Sequence, residues 1–579
     1  MLDTGVGSCR ELLDVLEGQG VKTLVISPGS RNAPLIIGAS VRSKFEKLVI
    51  PDERTASFVA LGISLVSKLP VALICTSGTA LYNYAPALAE AYYQHIPLIV
   101  VSADRPAQWI DQNDSQTLEQ PGALSKIVKE SFNIPADVEC TSKSAGSRFD
   151  NEGLWYVNRL VNEAVIKATT GIPGPVHINI QLGEPLNKTV ERTVVPSPRI
   201  VKVLSSSRTL SLRDINALAS ELRGRKVMLV AGFMQPDARL NKAISRFSSL
   251  PNVTVLAETI SNIHLPGAYA VDSILVKLSE EQKAALAPDI VISIGGALVS
   301  RMLKEYLRNV PGIQHWTLAD TDPKVDSFQN LTLHIDADPA KFFNAISGAI
   351  AKMNHKSSVE DHSAYAASWN EVRQKAYITD SKIRSEASWS ELKALHEVIT
   401  GVPSNCNLFL SNGTCIRYDQ LFTRILPHAC WCNRGVSGID GTNATALGTA
   451  YSYQGKTILL TGDMSFSYCP EILARKDLAA RLKIIVVNNS GGGIFRFIRT
   501  TRNLPMREPY FGADPKVPVE ALAKTYGWNY LKAYDEESLH RSLRKFYNMD
   551  FPILEITVDP DISSQSLISY MQSPKQNNS

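Results

Sequence analysis

Gly462-Asp463-Met464-Ser465 and, further along, Asn488-Asn489 followed by Ser490-Gly491-Gly492-Gly493 are the residues whose types and spacing point most directly to chemistry. Each group follows a short apolar run, 457–461 and 483–487, that reads as a buried strand. Asp463 and Asn489 therefore fall at the carboxyl ends of parallel strands, where open α/β sheets take their ligands. A carboxylate, an amide oxygen and a backbone carbonyl are hard donors that suit Mg²⁺, and a diphosphate would complete the octahedron. The glycines after Asn489 let the backbone pass close to an anion. Either group alone reads as an ordinary turn after a strand. The pair, each on a strand end, reads as a cofactor site.

The elements that must position these residues recur along the chain. In the first region, 22–26, 47–50, 70–75 and 97–101 read as buried strands bounded by Gly, Pro, Ser or Asp. Between them, 53–68 and 79–95 read as amphipathic helices, the second with Leu81, Tyr84, Leu88 and Tyr92 at helical spacing. A strand at 174–180 is expected to close this domain, and 183–206, rich in Pro, Ser, Thr and charge, to be a linker. The second region offers strands at 226–231, 253–257, 289–294 and 331–335. Gly295-Gly296 follows the third of these; without the full GxGxxG spacing it reads as a tight left-handed turn rather than a phosphate loop. A polar stretch at 352–368 reads as a second linker. Strands at 408–410, 457–461, 483–487 and 552–558 follow, and the tail ending Lys575-Gln576-Asn577-Asn578-Ser579 is expected to fray. Strand–helix alternation implies right-handed crossovers and parallel sheets covered on both faces. The expected fold class is α/β with three doubly wound parallel-sheet domains: 1–185, 186–350, and 380–579 after a linker at 351–379.

Composition narrows the class without naming a function. Hydrophobic residues make up 44% and charged residues 20%, as in soluble globular chains, which excludes collagen-like, mucin-like and disordered classes. A net charge of +4 is too small for a protein that coats nucleic acid, so no nucleic-acid partner is expected. The first twenty residues carry Asp3, Glu11 and Asp14 and no apolar core of a secretory signal, and no apolar run is long enough to span a bilayer. Eight cysteines include one close pair, Cys430-Trp431-Cys432; without a second pair nearby it reads as strand-buried rather than zinc-binding. A reduced, cytoplasmic protein is expected.

The spacing from Gly462-Asp463 to Asn488-Asn489 resembles the signature of thiamine diphosphate enzymes. That resemblance implies a glutamate from a separate domain set against N1′ of the aminopyrimidine, sharing its proton with that nitrogen. Pro51-Asp52-Glu53-Arg54, after the second strand of the first region, makes Glu53 the candidate. On its own this segment would read as acids complementing a helix N-terminus. Four further segments narrow the match: 26–35 (Ile-Ser-Pro-Gly-Ser-Arg-Asn-Ala-Pro-Leu), 102–106 (Ser-Ala-Asp-Arg-Pro), 432–441 (Cys-Asn-Arg-Gly-Val-Ser-Gly-Ile-Asp-Gly) and 486–495 (Val-Val-Asn-Asn-Ser-Gly-Gly-Gly-Ile-Phe). Together they resemble the 2-succinyl-5-enolpyruvyl-6-hydroxy-3-cyclohexene-1-carboxylate synthase family of the menaquinone pathway, from about residue 22 to about 527 and most densely at the two ends.

The resemblance implies thiamine diphosphate-dependent decarboxylation of 2-oxoglutarate and 1,4-addition of the succinyl-semialdehyde carbanion to isochorismate. It implies Mg²⁺ or Mn²⁺ held by Asp463, Asn489 and the carbonyl of Gly491. Glu53, Ser437, Ile439, Met464, Ser465 and Gly492 would contact the cofactor, Ile439 supporting its bent form. Ile494 and Phe495 would wall the reacting carbons, and Gln116, with Arg31, would lie near them. Each substrate carries two carboxylates, and planar guanidinium forks suit carboxylates better than Lys does. Arg31, Arg105, Arg417 and Arg434 sit within or beside these motifs, with Arg301 a weaker fifth. Family members place each site between the first domain of one chain and the third of another, which implies a homodimer or homotetramer.

Three positions depart from the family pattern. Ser115 precedes Gln116 where Asn is usual, Gly413 stands where Ser is usual, and Ala513-Asp514-Pro515 replaces Thr-Pro-His. Another thiamine-dependent 2-oxoacid decarboxylase or carboligase is the alternative enzyme. The ten histidines include no adjacent pair of the pyruvate-decarboxylase kind, which argues against simple decarboxylation. A non-catalytic cofactor-binding descendant is the alternative from another class, disfavoured by the retained Glu53, Asp463 and Asn489.

Overall fold

The structure, a computed structural model, describes residues 2–136, 138, 152–191, 197–206, 208–318, 325–354, 364–423 and 426–572. Cys140, residues 355–363 of the second expected linker and the tail expected to fray lie outside the described residues; the rest of that expected linker is helical, within the helices Pro339–Asn354 and Ala364–Glu386, the second of which buries Tyr365, Trp369 and Ala376.

The chain forms two compact units: residues 1–204 with 433–454 and 468–482, and residues 205–432 with 455–467 and 483–579. The first unit holds β1 (Leu2–Thr4), β2 (Thr23–Ile26), β3 (Glu46–Val49), β4 (Val71–Cys75), β5 (Leu98–Asp104), β6 (Ser131–Ile134), β7 (Val176–Gln181) and β8 (Thr189–Glu191). Six of them make a parallel sheet in the order β3-β2-β4-β5-β7-β6. Near-continuous runs such as Val-Ala-Leu-Ile-Cys in β4 are buried on both faces, as helix-covered parallel strands must be. The helix Gly7–Gly18 and the helix Glu152–Thr169 bury Leu12, Leu16, Val157 and Val161 in the core of this sheet.

The second unit holds two sheets. The middle one comprises β9 (Val227–Ala231), β10 (Val253–Ala257), β11 (Ile290–Ile294), β12 (Gln314–Leu318) and β13 (Leu331–Ile335), parallel in the order β10-β9-β11-β12-β13. The last comprises β14 (Asn407–Leu410), β15 (Ala429–Trp431), β16 (Thr457–Gly462), β17 (Leu482–Asn488), β18 (Asn529–Ala533) and β19 (Pro552–Thr557), in the order β15-β14-β16-β17-β19-β18. Thus the first and last of these large sheets share one strand order, and all three large sheets are flanked by helices, an α/β fold.

Several details differ from the sequence reading. The stretch 79–95 is two helices, Thr79–Asn83 and Ala85–Gln94, because Pro86 starts the second at its first turn. The strand expected to close the first domain, β7, is interior, and β6 forms the edge beyond it. The stretch read as the first linker contains β8, which pairs antiparallel with β1. The short or amphiphilic strands β1, β6, β8, β12 and β18 carry too little apolar run to read as strands. Segments 433–454 and 468–482 belong to the first unit although they lie in the stretch read as the third domain. Their helix Thr442–Ser452 packs backbone to backbone on the helix Glu53–Ser67: a Cβ on Gly62 would meet the Thr445 carbonyl at 2.1 Å, and one on Gly448 the Val59 carbonyl at 2.1 Å.

Candidate active site

In each six-stranded sheet the strand order reverses between its first and third strands, and open α/β sheets bind ligands outside the carboxyl ends at such a reversal. In the last sheet β14 and β16 flank the reversal, and their ends deliver Ser411-Asn412 and Asp463. The Asp463 carboxyl is buried. Its Oδ1 accepts from the Met464 N–H at 2.7 Å and its Oδ2 from the Gly491 N–H at 2.8 Å. Burial pushes its pKa up to about 6, against the pull of those backbone donors.

Asn489, at the end of β17, is buried as well. Its Nδ2 donates to Glu391 Oε1 at 3.0 Å, and that same oxygen accepts from Thr414 Oγ1 at 2.9 Å. Arg496 holds the loop from the other side, donating to the Asn489 carbonyl at 3.0 Å and the Ser490 carbonyl at 2.9 Å while pairing with Glu508 at 2.8 Å. Gly491 takes φ +96, and a Cβ there would lie 2.1 Å from the Gly512 carbonyl, so only glycine fits. Asp463, Asn489 and Gly491 are thus brought together on one pair of loops, with Met464, Ser465 and Gly492 adjoining them. The donors are hard oxygens, the set that fits Mg²⁺ or Mn²⁺ on a diphosphate. Among the described residues no group of three His, Cys, Asp or Glu could hold a metal, so a site here must draw on amide, carbonyl and ligand oxygens.

Ile494 and Phe495 are half-buried on the short turn after these glycines, and the Phe495 ring packs on Phe511 with centroids 5.4 Å apart. Arg417 sits in the helix Thr414–Asp419, exposed, its Nη1 donating to the Gly413 carbonyl at 2.7 Å. Arg301 begins the helix Arg301–Arg308; its side chain is 87% exposed and pairs with Glu305 on its own helix.

In the first unit the reversal lies between β2 and β4. Asp52 caps the helix Glu53–Ser67 by accepting from the Thr55 N–H at 2.7 Å, which leaves the half-buried Glu53 carboxylate to accept from Asn83 Nδ2 at 3.4 Å. Arg31, 6% exposed, donates to the Leu182 carbonyl at 3.1 Å and pairs with Glu184 at 3.2 Å. Burial, and then the neighbouring Arg105, lower its pKa. Arg105 pairs with Asp114 at 2.6 Å and donates to the Ser115 carbonyl at 3.0 Å and Oγ at 3.3 Å. The Ser115 departure is therefore part of the setting of one arginine. Gln116 is exposed next to it with φ +55.

The loop 433–441 carries Arg434, Ser437 and Ile439. Buried Glu90 holds it, accepting from the Gly435 N–H at 2.6 Å and the Val436 N–H at 2.8 Å. Ser437 adopts φ +61 and is exposed, and Ile439 is half-buried.

Sequence reading missed Glu391, Arg496, Glu90 and a buried polar network at the ends of β5 and β7. In that network Gln120 accepts from the Gly78 N–H at 2.7 Å and donates to Asn179 Oδ1 at 2.9 Å, and Asn179 donates to Asp104 Oδ2 at 2.9 Å. His177 Nε2 lies 2.7 Å from Ser102 Oγ, and burial lowers its pKa to about 4, so it is neutral near pH 7. Of these only Ser102 and Asp104 stand in a motif, the segment 102–106; Glu391, Arg496, Glu90, Gln120, Asn179 and His177 stand in none. Cys430 and Cys432 are buried, with Cys430 in β15, as the strand reading of that pair expected.

Residues 10–123 match the family described as thiamine pyrophosphate enzyme, N-terminal TPP binding domain. Over 539 residues, 93% of this chain and 91% of the relative, the sequence is 39% identical to a 2-succinyl-5-enolpyruvyl-6-hydroxy-3-cyclohexene-1-carboxylate synthase of Porphyromonas gingivalis. The chain belongs to that family of thiamine diphosphate enzymes. Proteins of the same description from Flavobacterium johnsoniae, 33% identical over 95% of each chain, and Bacteroides thetaiotaomicron, 34% identical over 98% of each, agree. Among the described residues no helix is long and apolar enough to cross a membrane.

Proposed function

We propose that the chain decarboxylates 2-oxoglutarate and transfers the remaining succinyl-semialdehyde unit to isochorismate by 1,4-addition. The product is 2-succinyl-5-enolpyruvyl-6-hydroxy-3-cyclohexene-1-carboxylate, with release of CO₂. The observation that carries this reading is the convergence of Asp463, Asn489 and Gly491 at strand ends, in a chain 39% identical to a synthase of that name. Thiamine diphosphate, when bound, supplies the carbon nucleophile. Asp463, Asn489 and the Gly491 carbonyl hold Mg²⁺ or Mn²⁺ on its diphosphate, flanked by Met464, Ser465 and Gly492. Glu53 holds the proton exchanged with N1′ of the aminopyrimidine, and Ser437 and Ile439 support the ring system. Arg31, Arg105, Arg417 and Arg434 pair with the substrate carboxylates, their present partners Glu184 and Asp114 being displaceable because both are partly exposed. Arg301, exposed and paired on its own helix, is the weakest member of this set. Gln116 lies over the reacting carbons, with Ile494 and Phe495 as their apolar wall.

In this reading 1–185 binds the pyrimidine, 380–579 binds the diphosphate, and 186–350 is structural. The protein is a cytoplasmic homodimer or homotetramer with active sites between subunits.

The deciding test incubates the purified protein with thiamine diphosphate, Mg²⁺ and 2-oxoglutarate, with and without isochorismate. The expected result is an isochorismate adduct formed with CO₂; CO₂ without adduct would leave a simple decarboxylase instead. Glu53→Gln is expected to abolish turnover with an unchanged circular dichroism spectrum, and full activity in it would remove the role given to Glu53.

A further inference from the structure

An asparagine can offer a metal either end of its amide, and only the oxygen is a ligand. The surroundings of Asn489 decide which end is free. Glu391, the first residue of the helix Glu391–Thr400, is 3% exposed, and its backbone N–H donates to Ser563 Oγ at 3.1 Å. Its Oε1 accepts from Thr414 Oγ1 at 2.9 Å and from Asn489 Nδ2 at 3.0 Å. It is the nitrogen end of Asn489 that faces this oxygen, so that end is committed to Glu391 and Oδ1 is the end left over. The Asn489 carbonyl is held separately, by Arg496 at 3.0 Å. The backbone and the side chain of this one residue therefore have different anchors.

We propose that Glu391 is a positioning residue: it selects the amide orientation of Asn489 that presents Oδ1 to the divalent cation. This rests on the reading of Asp463, Asn489 and Gly491 as the cation's ligands. Partners that orient a metal ligand typically contribute about 10–100-fold in metal affinity.

The test measures Mn²⁺ binding in the presence of thiamine diphosphate, by the electron paramagnetic resonance signal of free Mn²⁺, together with the unfolding midpoint of the cofactor-free protein. Glu391→Leu removes the acceptor and is expected to weaken Mn²⁺ binding by about 10–100-fold without lowering that midpoint. Glu391→Gln keeps an oxygen acceptor and is expected to bind Mn²⁺ nearly as the parent protein does. Parent-like binding by Glu391→Leu would overturn the proposal, and so would a loss in Glu391→Gln as large as that in Glu391→Leu. Should Glu391→Leu not fold, Asn489→Asp is measured instead. Its added oxygen would face Glu391, so binding is expected to weaken, and to recover in the double variant Asn489→Asp, Glu391→Gln; tighter binding by Asn489→Asp alone would overturn the proposal. Asp463→Ala separates the two ideas. If it leaves Mn²⁺ affinity intact, the cation site itself is misassigned; if it abolishes binding while Glu391→Leu does not, only the role of Glu391 fails.

Discussion

In the middle sheet the space between the ends of β9 and β11 is filled by the chain itself. The Gly232 N–H donates to the Ile294 carbonyl at 3.0 Å and the Gly296 N–H to the Phe233 carbonyl at 2.8 Å. A Cβ on Gly232 would come 2.3 Å from the Gly296 carbonyl, and one on Gly295, at φ +78, would meet the Phe233 carbonyl at 2.8 Å. In the last sheet the corresponding ends of β14 and β16 instead bear Ser411, Asn412 and Asp463, and the glycines stand one strand further on, after Asn489. Both sheets reverse strand order at this point and so offer a ligand crevice. Topology makes the place; the side chains and the position of the glycines decide whether it is closed by backbone or lined with oxygen donors.

The contrast can be broken from either side. The largest effect is expected for Asp463→Ala, which removes the carboxylate at the end of β16 from the lined crevice: activity falls by more than about 100-fold, with the loss read in turnover at saturating thiamine diphosphate and Mg²⁺. Next, Arg417→Ala is expected to raise KM for a dicarboxylate substrate, since losing a charge partner costs about 2–5 kcal/mol, or at least about 30-fold, if the ion pair is desolvated on binding. An unchanged KM would take Arg417 out of the site. In the closed crevice, Gly295→Ala forces a left-handed backbone and a clash with the Phe233 carbonyl. It should destabilise the fold by about 1–3 kcal/mol, seen as a lower unfolding midpoint, with kcat per folded molecule unchanged. A fall in kcat there would mean that the middle sheet does more than support. The smallest effect belongs to Arg301→Ala: an exposed pair within one helix is worth about 0.3–0.5 kcal/mol, so both KM and stability are expected to stay near the parent values.

Much of this was legible in the residues. Long apolar runs such as those of β4, β9, β11, β16 and β17 announce buried parallel strands, and the runs of β16 and β17 put Asp463 and Asn489 on strand ends. The turn at Gly295-Gly296 reads as structural because it lacks the phosphate-loop spacing, and the positive φ of Gly295 and the backbone contacts agree. Less legible are the short strands β6, β12 and β18, whose pairing depends on neighbours far along the chain. The break at Tyr84 was hidden by a continuous helical pattern. Glu391 was invisible: 98 positions separate it from Asn489, and a Glu opening a helix reads as a routine acid at the positive end of the dipole.

The sequence by itself determined the chemistry on offer and the kind of fold that carries it. Period and burial of short apolar runs are local properties, and oxygen donors with adjacent glycines are recognisable wherever they stand. Only the tertiary structure decided how those groups are held. It gave Asn489 one anchor for its carbonyl, in Arg496, and another for its amide, in Glu391; it set Ser115 beneath Arg105, and it closed one crevice with backbone while lining another. Two of those decisions rest on hydrogen bonds between residues distant in the chain, Asn489 to Glu391 and Gly232 to Ile294, and buried bonds of this kind count because burial has removed the water that would otherwise satisfy each group alone.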